Sequence, residues 1–167
     1  MSDDRRPRSR ALRPRVALGV AWAALAGCVV WAAIVAPQDH LTGLSIVLAL
    51  AALAAGLGVA RVRQGVEVSA AFLVYILAGA FLGPTSAFVA AVISEVAATR
   101  VIPTRRHAFL GNLVAAGFAA LLAGTLLRDI APPEHSASFY LVLAGLALAM
   151  LGLTWAIIAP FNIAYDG

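Results

Sequence analysis

The polar residues that interrupt long apolar stretches are the first candidates for chemistry. Glu95 lies inside one such stretch, where an ionisable side chain is costly and normally faces protein, water or a partner group. Ser69 and Asn112 lie at a similar depth, about one helical turn from neighbouring arginines. We therefore predict a polar cluster made of Glu67, Ser69, Ser94, Glu95 and Asn112, paired with Arg100 or Arg106. It has two interpretations, a structural network that fixes helix register and a group that transmits a signal or handles an ion.

Other chemistry has less support in the sequence. His40, His107 and His135 do not form a metal-binding motif, and the single cysteine, Cys28, excludes an intramolecular disulfide. No phosphate-binding glycine loop, nucleophile elbow or zinc-protease motif is present, so we expect no catalysis, no metal and no cofactor. A weaker alternative is a metal site formed across two loops by Asp39, His40, Glu134 and His135.

The composition indicates a chain that is solvated mainly by lipid. Hydrophobic residues make up 62% of the 167 residues, charged residues make up 12%, and the mean hydropathy is +0.94. Ordinary soluble domains are roughly half apolar. We therefore predict an integral membrane protein of the all-α class, a bundle of six transmembrane helices with the lipid bilayer as its main partner.

Turn-forming and charged residues set the predicted boundaries. A basic tail covers residues 1–15 and a short tail covers 161–167, and the membrane domain covers 16–160. Its helices are predicted at about 16–36, 41–60, 66–82, 85–99, 108–127 and 138–160. The fourth is predicted to be the shortest, at about 22 Å, and a half-embedded segment is the alternative there.

The arginines predict the orientation, because short basic loops stay in the cytoplasm. Six of the twelve lie in the first fifteen residues, two lie in the second loop and three in the fourth, so only Arg128 falls on the other side. Both termini are therefore predicted to be cytoplasmic, in a multi-pass protein of a bacterial inner membrane. The basic tail is interpreted as this topology signal, with no nucleic-acid partner.

Gly79 and Gly83 form a short small-residue segment that lets helices approach closely. Packing within one bundle is the favoured interpretation, since Gly83 also serves the turn before Pro84. A homodimer through the third helix is the alternative.

The segments Gly65–Ser69, Phe81–Pro84 and Phe109–Asn112, with Arg105 and Arg106 before the last, carry a resemblance. The region they mark, about 65–127, resembles the multi-span amino-terminal sensor modules of bacterial signalling proteins, which precede diguanylate cyclase, HD-type phosphohydrolase or histidine kinase domains. The resemblance implies a non-catalytic sensory or anchoring bundle that acts on a cytoplasmic output domain. Because the sequence stops at Gly167, that output is expected in a separate chain, such as a kinase or cyclase partner in trans, or the chain is truncated before it.

A second family is the alternative. Ala17 and Ala21 are similar to the small-residue motif by which substrate-binding membrane subunits of energy-coupling-factor vitamin transporters meet their coupling partner. Such a subunit needs convergent polar groups facing outward. The outer helix halves offer few of these, chiefly Thr42, Ser45, Thr85, Ser86 and Thr125.

Overall fold

The computed structural model describes residues 9–36, 43–58, 60–63, 66–68, 70–102, 106–130 and 136–166. Within these ranges, side-chain environments are described for 16–36, 43–58, 70–102, 108–130 and 136–160.

Helices dominate the described residues, which confirms the predicted helical class. They are α1 (Ser9–Val35), α2 (Gly43–Leu57), α3 (Ala71–Phe81), α4 (Pro84–Val101), α5 (Arg106–Ile130) and α6 (Ala137–Asp166). A short antiparallel hairpin of β1 (Ala60–Arg63) and β2 (Val66–Val68) joins α2 to α3. In its register Arg61 lies opposite Glu67.

Within the described residues, three helices have the length and apolar composition needed to cross a membrane. Their apolar spans are Val16–Val35, Ala108–Ile130 and Ala137–Pro160, of 20, 23 and 24 residues. Two further apolar helices, α2 and α3, are shorter, with 15 and 11 residues. At 1.5 Å per residue α3 extends only about 17 Å, little more than half of a 30 Å hydrocarbon layer.

Contacts between helix ends show that consecutive helices alternate in direction. The start of α4 meets the end of α1 through Thr85 and Ala32, and the end of α3 meets the start of α6 through Phe81 and Phe139. The end of α5 reaches the start of α4, because Gly124 lies against the opening proline of that helix. The hairpin, the end of α4 and the start of α5 therefore belong to one end of the bundle, which we call the basic end.

The centre of the bundle is built from α4 and α5, which pack against each other. In addition, α4 packs against α1, α2 and α3, and α5 packs against α1, α3 and α6. Their contact surfaces consist largely of fully buried alanines, among them Ala87, Ala91, Ala119 and Ala123. Small side chains allow helix axes to come close together, so van der Waals contact holds helices that gain little from hydrophobic burial in lipid.

Glycines mark the closest approaches between helices. A Cβ atom on Gly56 of α2 would lie 2.3 Å from the Ser94 carbonyl oxygen of α4, and one on Gly124 of α5 would lie 2.6 Å from the Pro84 Cα atom. Neither position has room for a methyl group, so both glycines are required by packing.

Large apolar side chains cover the outer surface of the bundle. On α6, Leu141 and Leu148 are 74% and 72% exposed, and on α1 Ile34 is 69% exposed. Trp22 and Trp155 are exposed as well. An apolar outer face over a close-packed small-residue core is the surface expected of a membrane-embedded bundle.

The boundaries differ from the predicted ones at three places. Val66–Val68 was predicted to open the third helix but forms β2, and α3 begins only at Ala71. The prediction that the fourth helix is the shortest is also wrong, since α4 has 18 residues and α3 has 11. The sixth helix was predicted to stop at residue 160 but continues through Pro160 to Asp166. The first of these differences has a reason in the sequence: valines alternate with charged residues in the hairpin, and this two-residue period favours a strand over a helix.

Candidate functional site

Three of the predicted cluster residues lie on α4. The Ser94 side chain is buried, and its hydroxyl donates to the Ala91 carbonyl of the same helix at 3.3 Å. Glu95 is half-buried beside it, and Arg100 is exposed in the last turn. A hydroxyl satisfied inside its own helix is a common way of tolerating serine in an apolar bundle, so the position of Ser94 has a structural explanation.

Glu95 has a neighbour that the sequence interpretation missed. Tyr75 is buried on α3 within the main core cluster, in the neighbourhood of the Glu95 carboxylate. A buried tyrosine normally finds a partner for its hydroxyl, so the lone tyrosine of an apolar helix was a usable signal. The structure thus adds Tyr75 of α3 to the environment of Glu95.

Asn112, Arg106 and Glu67 of the predicted cluster lie toward the basic end of the bundle. Asn112 is half-buried in the second turn of α5, and Arg106 opens that helix. Glu67 lies in β2, opposite Arg61. Ser69 lies outside the described residues, and for Glu67 and Arg106 only the backbone is described. The backbones of Glu67, Arg106 and Asn112 lie toward this end of the bundle, and contact among the predicted cluster residues stays a prediction.

A cavity of about 220 Å³ lies toward the opposite end of the bundle. Its walls come from the end of α1, the first half of α2, the end of α3 and the start of α4. Most of the lining is aliphatic, from Leu48, Leu82 and Val89 together with alanines. Three hydroxyl side chains also line it: Ser45, Thr85 and Ser86. These belong to the outer polar residues named from the sequence, and the fold brings them to one cavity.

A hydrogen bond crosses the edge of this cavity. The Thr85 hydroxyl donates to the Ala32 carbonyl of α1 at 2.9 Å, which ties the start of α4 to the end of α1. Ser45 and Ser86 have polar interactions of their own. Thr125 was grouped with these residues from the sequence, but its hydroxyl donates to the Leu121 carbonyl within α5 at 2.8 Å. Thr42 lies outside the described residues.

The cavity and Glu95 share one helix, α4. Thr85 and Glu95 are ten positions apart on α4, which corresponds to about 15 Å along the helix axis. Between them α4 packs on α2, where Gly56 contacts the Ser94 carbonyl group. The cavity and the surroundings of Glu95 are therefore both formed in part by α4 and α2.

A second, larger groove of about 380 Å³ lies between α1, α5 and α6. Its lining is apolar and includes Cys28, Trp31 and Phe118. The Trp31 and Phe118 rings make an edge-to-face contact with centroids 6.0 Å apart. None of the described residues that line this groove is charged.

The helix-packing residues occupy defined places within the chain. A Cβ atom on Gly79 would lie 3.0 Å from the Gly124 Cα atom of α5, so Gly79 faces a neighbouring helix of the same bundle. Gly83 precedes α4 with φ 110° and ψ 172°, a conformation that is essentially restricted to glycine. Both glycines thus have roles inside one chain, and the homodimer stays a prediction.

Within the described part of the chain, no three His, Cys, Asp or Glu residues are grouped in a way that would hold a metal ion. The weaker alternative site, formed by Asp39, His40, Glu134 and His135, lies outside that part. Comparison of the chain with protein families, with curated proteins and with solved structures found no match.

Proposed function

We propose that this chain is a non-catalytic sensory or anchoring module of a bacterial signalling system, embedded in the inner membrane with six crossings and with both termini in the cytoplasm. The observation that carries the sensory role is the cavity between the first four helices, at the end of the bundle away from Arg100. The cavity lies on the proposed outer side, and the half-buried Glu95 lies nearer the cytoplasm on the same helix, α4. A membrane receptor needs such a connection between an outer site and the cytoplasmic side.

The alternating helix directions support six crossings. With the basic end in the cytoplasm, α2 ends at the cytoplasmic hairpin and α3 begins after it. The cavity then lies at the outer end of the bundle. The short α3 is the weakest crossing by length, because its 11 residues do not reach across a hydrocarbon layer. Tyr75 and Ile76, in the middle of α3, are buried against the rest of the bundle, so the helix is held by protein contacts as well as by lipid.

The topology is testable with reporter fusions. A reporter that is active only in the cytoplasm, fused after Gly167, is expected to be active, and a periplasmic reporter inserted between Pro132 and Pro133 is expected to be active on the other side. Periplasmic activity after Gly167 would contradict the even number of crossings. A periplasmic insertion between Gln64 and Gly65 is the matched control, since the hairpin is assigned to the cytoplasm.

The sensory and anchoring roles differ in whether the cavity communicates with the basic end. In a Cys28→Ser background, spin labels at Leu57 and Arg100 report the distance between the ends of α2 and α4. Filling the cavity with Ala49→Phe is expected to shift that distance in a sensor. The control Ala54→Phe adds the same side chain to the exposed face of the same helix. An unchanged distance in both variants would refute the sensory role and leave anchoring as the only proposed role.

A substrate-binding subunit of an energy-coupling-factor vitamin transporter is the second candidate, favoured by the convergence of three hydroxyls on the outer cavity. Ala21 weighs against it, because this residue is buried in a cluster with Leu110 and Val114 of α5 and is occupied within the chain. A thermal-shift screen of the purified protein with vitamins separates the two candidates. Neighbouring genes for an ATPase and a coupling subunit would favour transport, whereas a cyclase, phosphodiesterase or kinase gene would favour signalling.

A further inference from the structure

The Thr85 hydroxyl limits what the outer cavity accepts. A hydroxyl has one proton to donate, and that proton goes to the Ala32 carbonyl at 2.9 Å. Thr85 lines the cavity, and with its proton committed to Ala32 its oxygen retains acceptor capacity only. A ligand that contacts Thr85 through a hydrogen bond must therefore bring the donor, an O–H or an N–H group.

The rest of the lining defines the charge and polarity of the ligand. Leu48, Leu82 and Val89 supply aliphatic walls, and among the residues that the structure describes no Asp, Glu, Lys, Arg or His lines the cavity. An ionised group would have no counter-charge in such an environment, and burying an unpaired charge is strongly unfavourable. The cavity therefore suits a neutral molecule.

The volume sets the size of the ligand. An apolar cavity of about 150 Å³ is large enough to hold benzene. This cavity measures about 220 Å³, which leaves room for a fused bicyclic aromatic or a similarly compact molecule. Typical drug-sized sites occupy about 300–1,000 Å³, so the cavity best matches ligands at the small end of that range.

We propose that the outer cavity binds a neutral, compact, mainly apolar molecule with a single hydrogen-bond donor, and that Thr85 accepts that hydrogen bond. This inference rests on the proposed sensory function and names its ligand class. The end of a lipid acyl chain is the competing occupant. A donor-bearing ligand fits better, because hydrocarbon makes no use of a hydroxyl acceptor at the wall.

The test compares two probes of equal shape with the full chain in lipid nanodiscs. Indole carries one N–H donor, and indene has a CH₂ group in its place. Binding is followed through the methyl NMR signals of Leu48 and Leu82, which line the cavity. We expect indole to bind about threefold to tenfold more tightly than indene, the value of one neutral hydrogen bond. Partition of each probe into lipid is the same for every variant and cancels between them.

Two threonine variants decide whether Thr85 is the acceptor. Thr85→Val keeps the shape of the side chain and removes the oxygen, so the preference for indole is expected to vanish. Thr125→Val removes a hydroxyl that also donates to a helix carbonyl but does not line the cavity, and the preference is expected to persist. A preference retained in Thr85→Val, or equal binding of both probes to the unmodified protein, would overturn the proposal.

A pair of alanine variants locates the site by size. Ala49→Phe fills the cavity and is expected to abolish indole binding, whereas Ala54→Phe on the exposed face of α2 is expected to leave it unchanged. Absence of indole binding to the unmodified protein would also refute the ligand class. The reporter fusions test the proposed function separately, because an unexpected topology with intact indole selectivity would refute the topology and leave the binding site standing.

Discussion

The contact between α2 and α4 at Gly56 offers a sharp test of how this bundle is packed. A Cβ atom there would lie 2.3 Å from the Ser94 carbonyl oxygen and 2.8 Å from the Ala97 Cβ atom. The first obstacle is backbone, so no side-chain rotation relieves it, and the two helices must separate. Gly56→Ala is therefore expected to destabilise the protein even though alanine is the better helix former.

The expected size follows from two opposing terms. Overpacking a close-packed core costs about 3 kcal/mol at the upper end of its usual range, and the helix propensity of alanine returns about 1 kcal/mol, which leaves a net loss of about 2 kcal/mol. Gly145→Ala on α6 is the control, because a Cβ atom there meets nothing within 4 Å. That variant is expected to gain about 1 kcal/mol.

Reversible unfolding in mixed micelles with increasing sodium dodecyl sulfate, followed by circular dichroism, measures both free energies. The free energy of unfolding is expected to fall in Gly56→Ala and to rise in Gly145→Ala, so that the two variants differ from each other by about 3 kcal/mol. If Gly56→Ala proves as stable as Gly145→Ala, α2 and α4 are not in contact at this point and the helix arrangement is wrong.

Three further outcomes follow from the structure. Gly83→Ala places a Cβ atom on a residue with φ 110° and is expected to cost about 1–3 kcal/mol in the same unfolding assay. Tyr75→Ala is expected to cost about 3–5 kcal/mol, because this side chain is buried in the main core cluster, while Tyr140→Ala on the exposed face of α6 is expected to cost much less. Gly124→Ala is expected to lower stability by about 2 kcal/mol, and a neutral effect there would contradict the close contact between α5 and the start of α4.

The helices that sequence patterning predicted best are those with long, uninterrupted apolar stretches. The predicted 108–127 and 138–160 lie within α5 and α6. The hairpin was missed because Val66 and Val68 were counted as apolar helix positions, whereas Glu67 between them marks a two-residue period. Local composition alone did not separate a short strand from the first turn of a helix.

The candidate site was predictable only in part. Glu95 stands out in the sequence because an acid inside an apolar stretch needs an explanation. The position of Tyr75 near Glu95 and the cavity between the first four helices depend on which helix faces meet. The hydroxyls of Ser45 and Thr85 are forty positions apart and converge only because α2 and α4 lie side by side. Thr125 does not line the cavity, and its hydroxyl donates instead to a carbonyl of its own helix.

The sequence by itself determined that this protein is apolar and helical, because lipid compatibility and backbone hydrogen bonding within each segment are local properties. Tertiary structure alone decided which alanine and glycine faces come together. Small side chains look alike in sequence, and their contact is specified by close fit between helices, such as Gly56 against the Ser94 carbonyl group. That fit leaves space between the first four helices at one end of the bundle, and it makes the cavity there a product of packing.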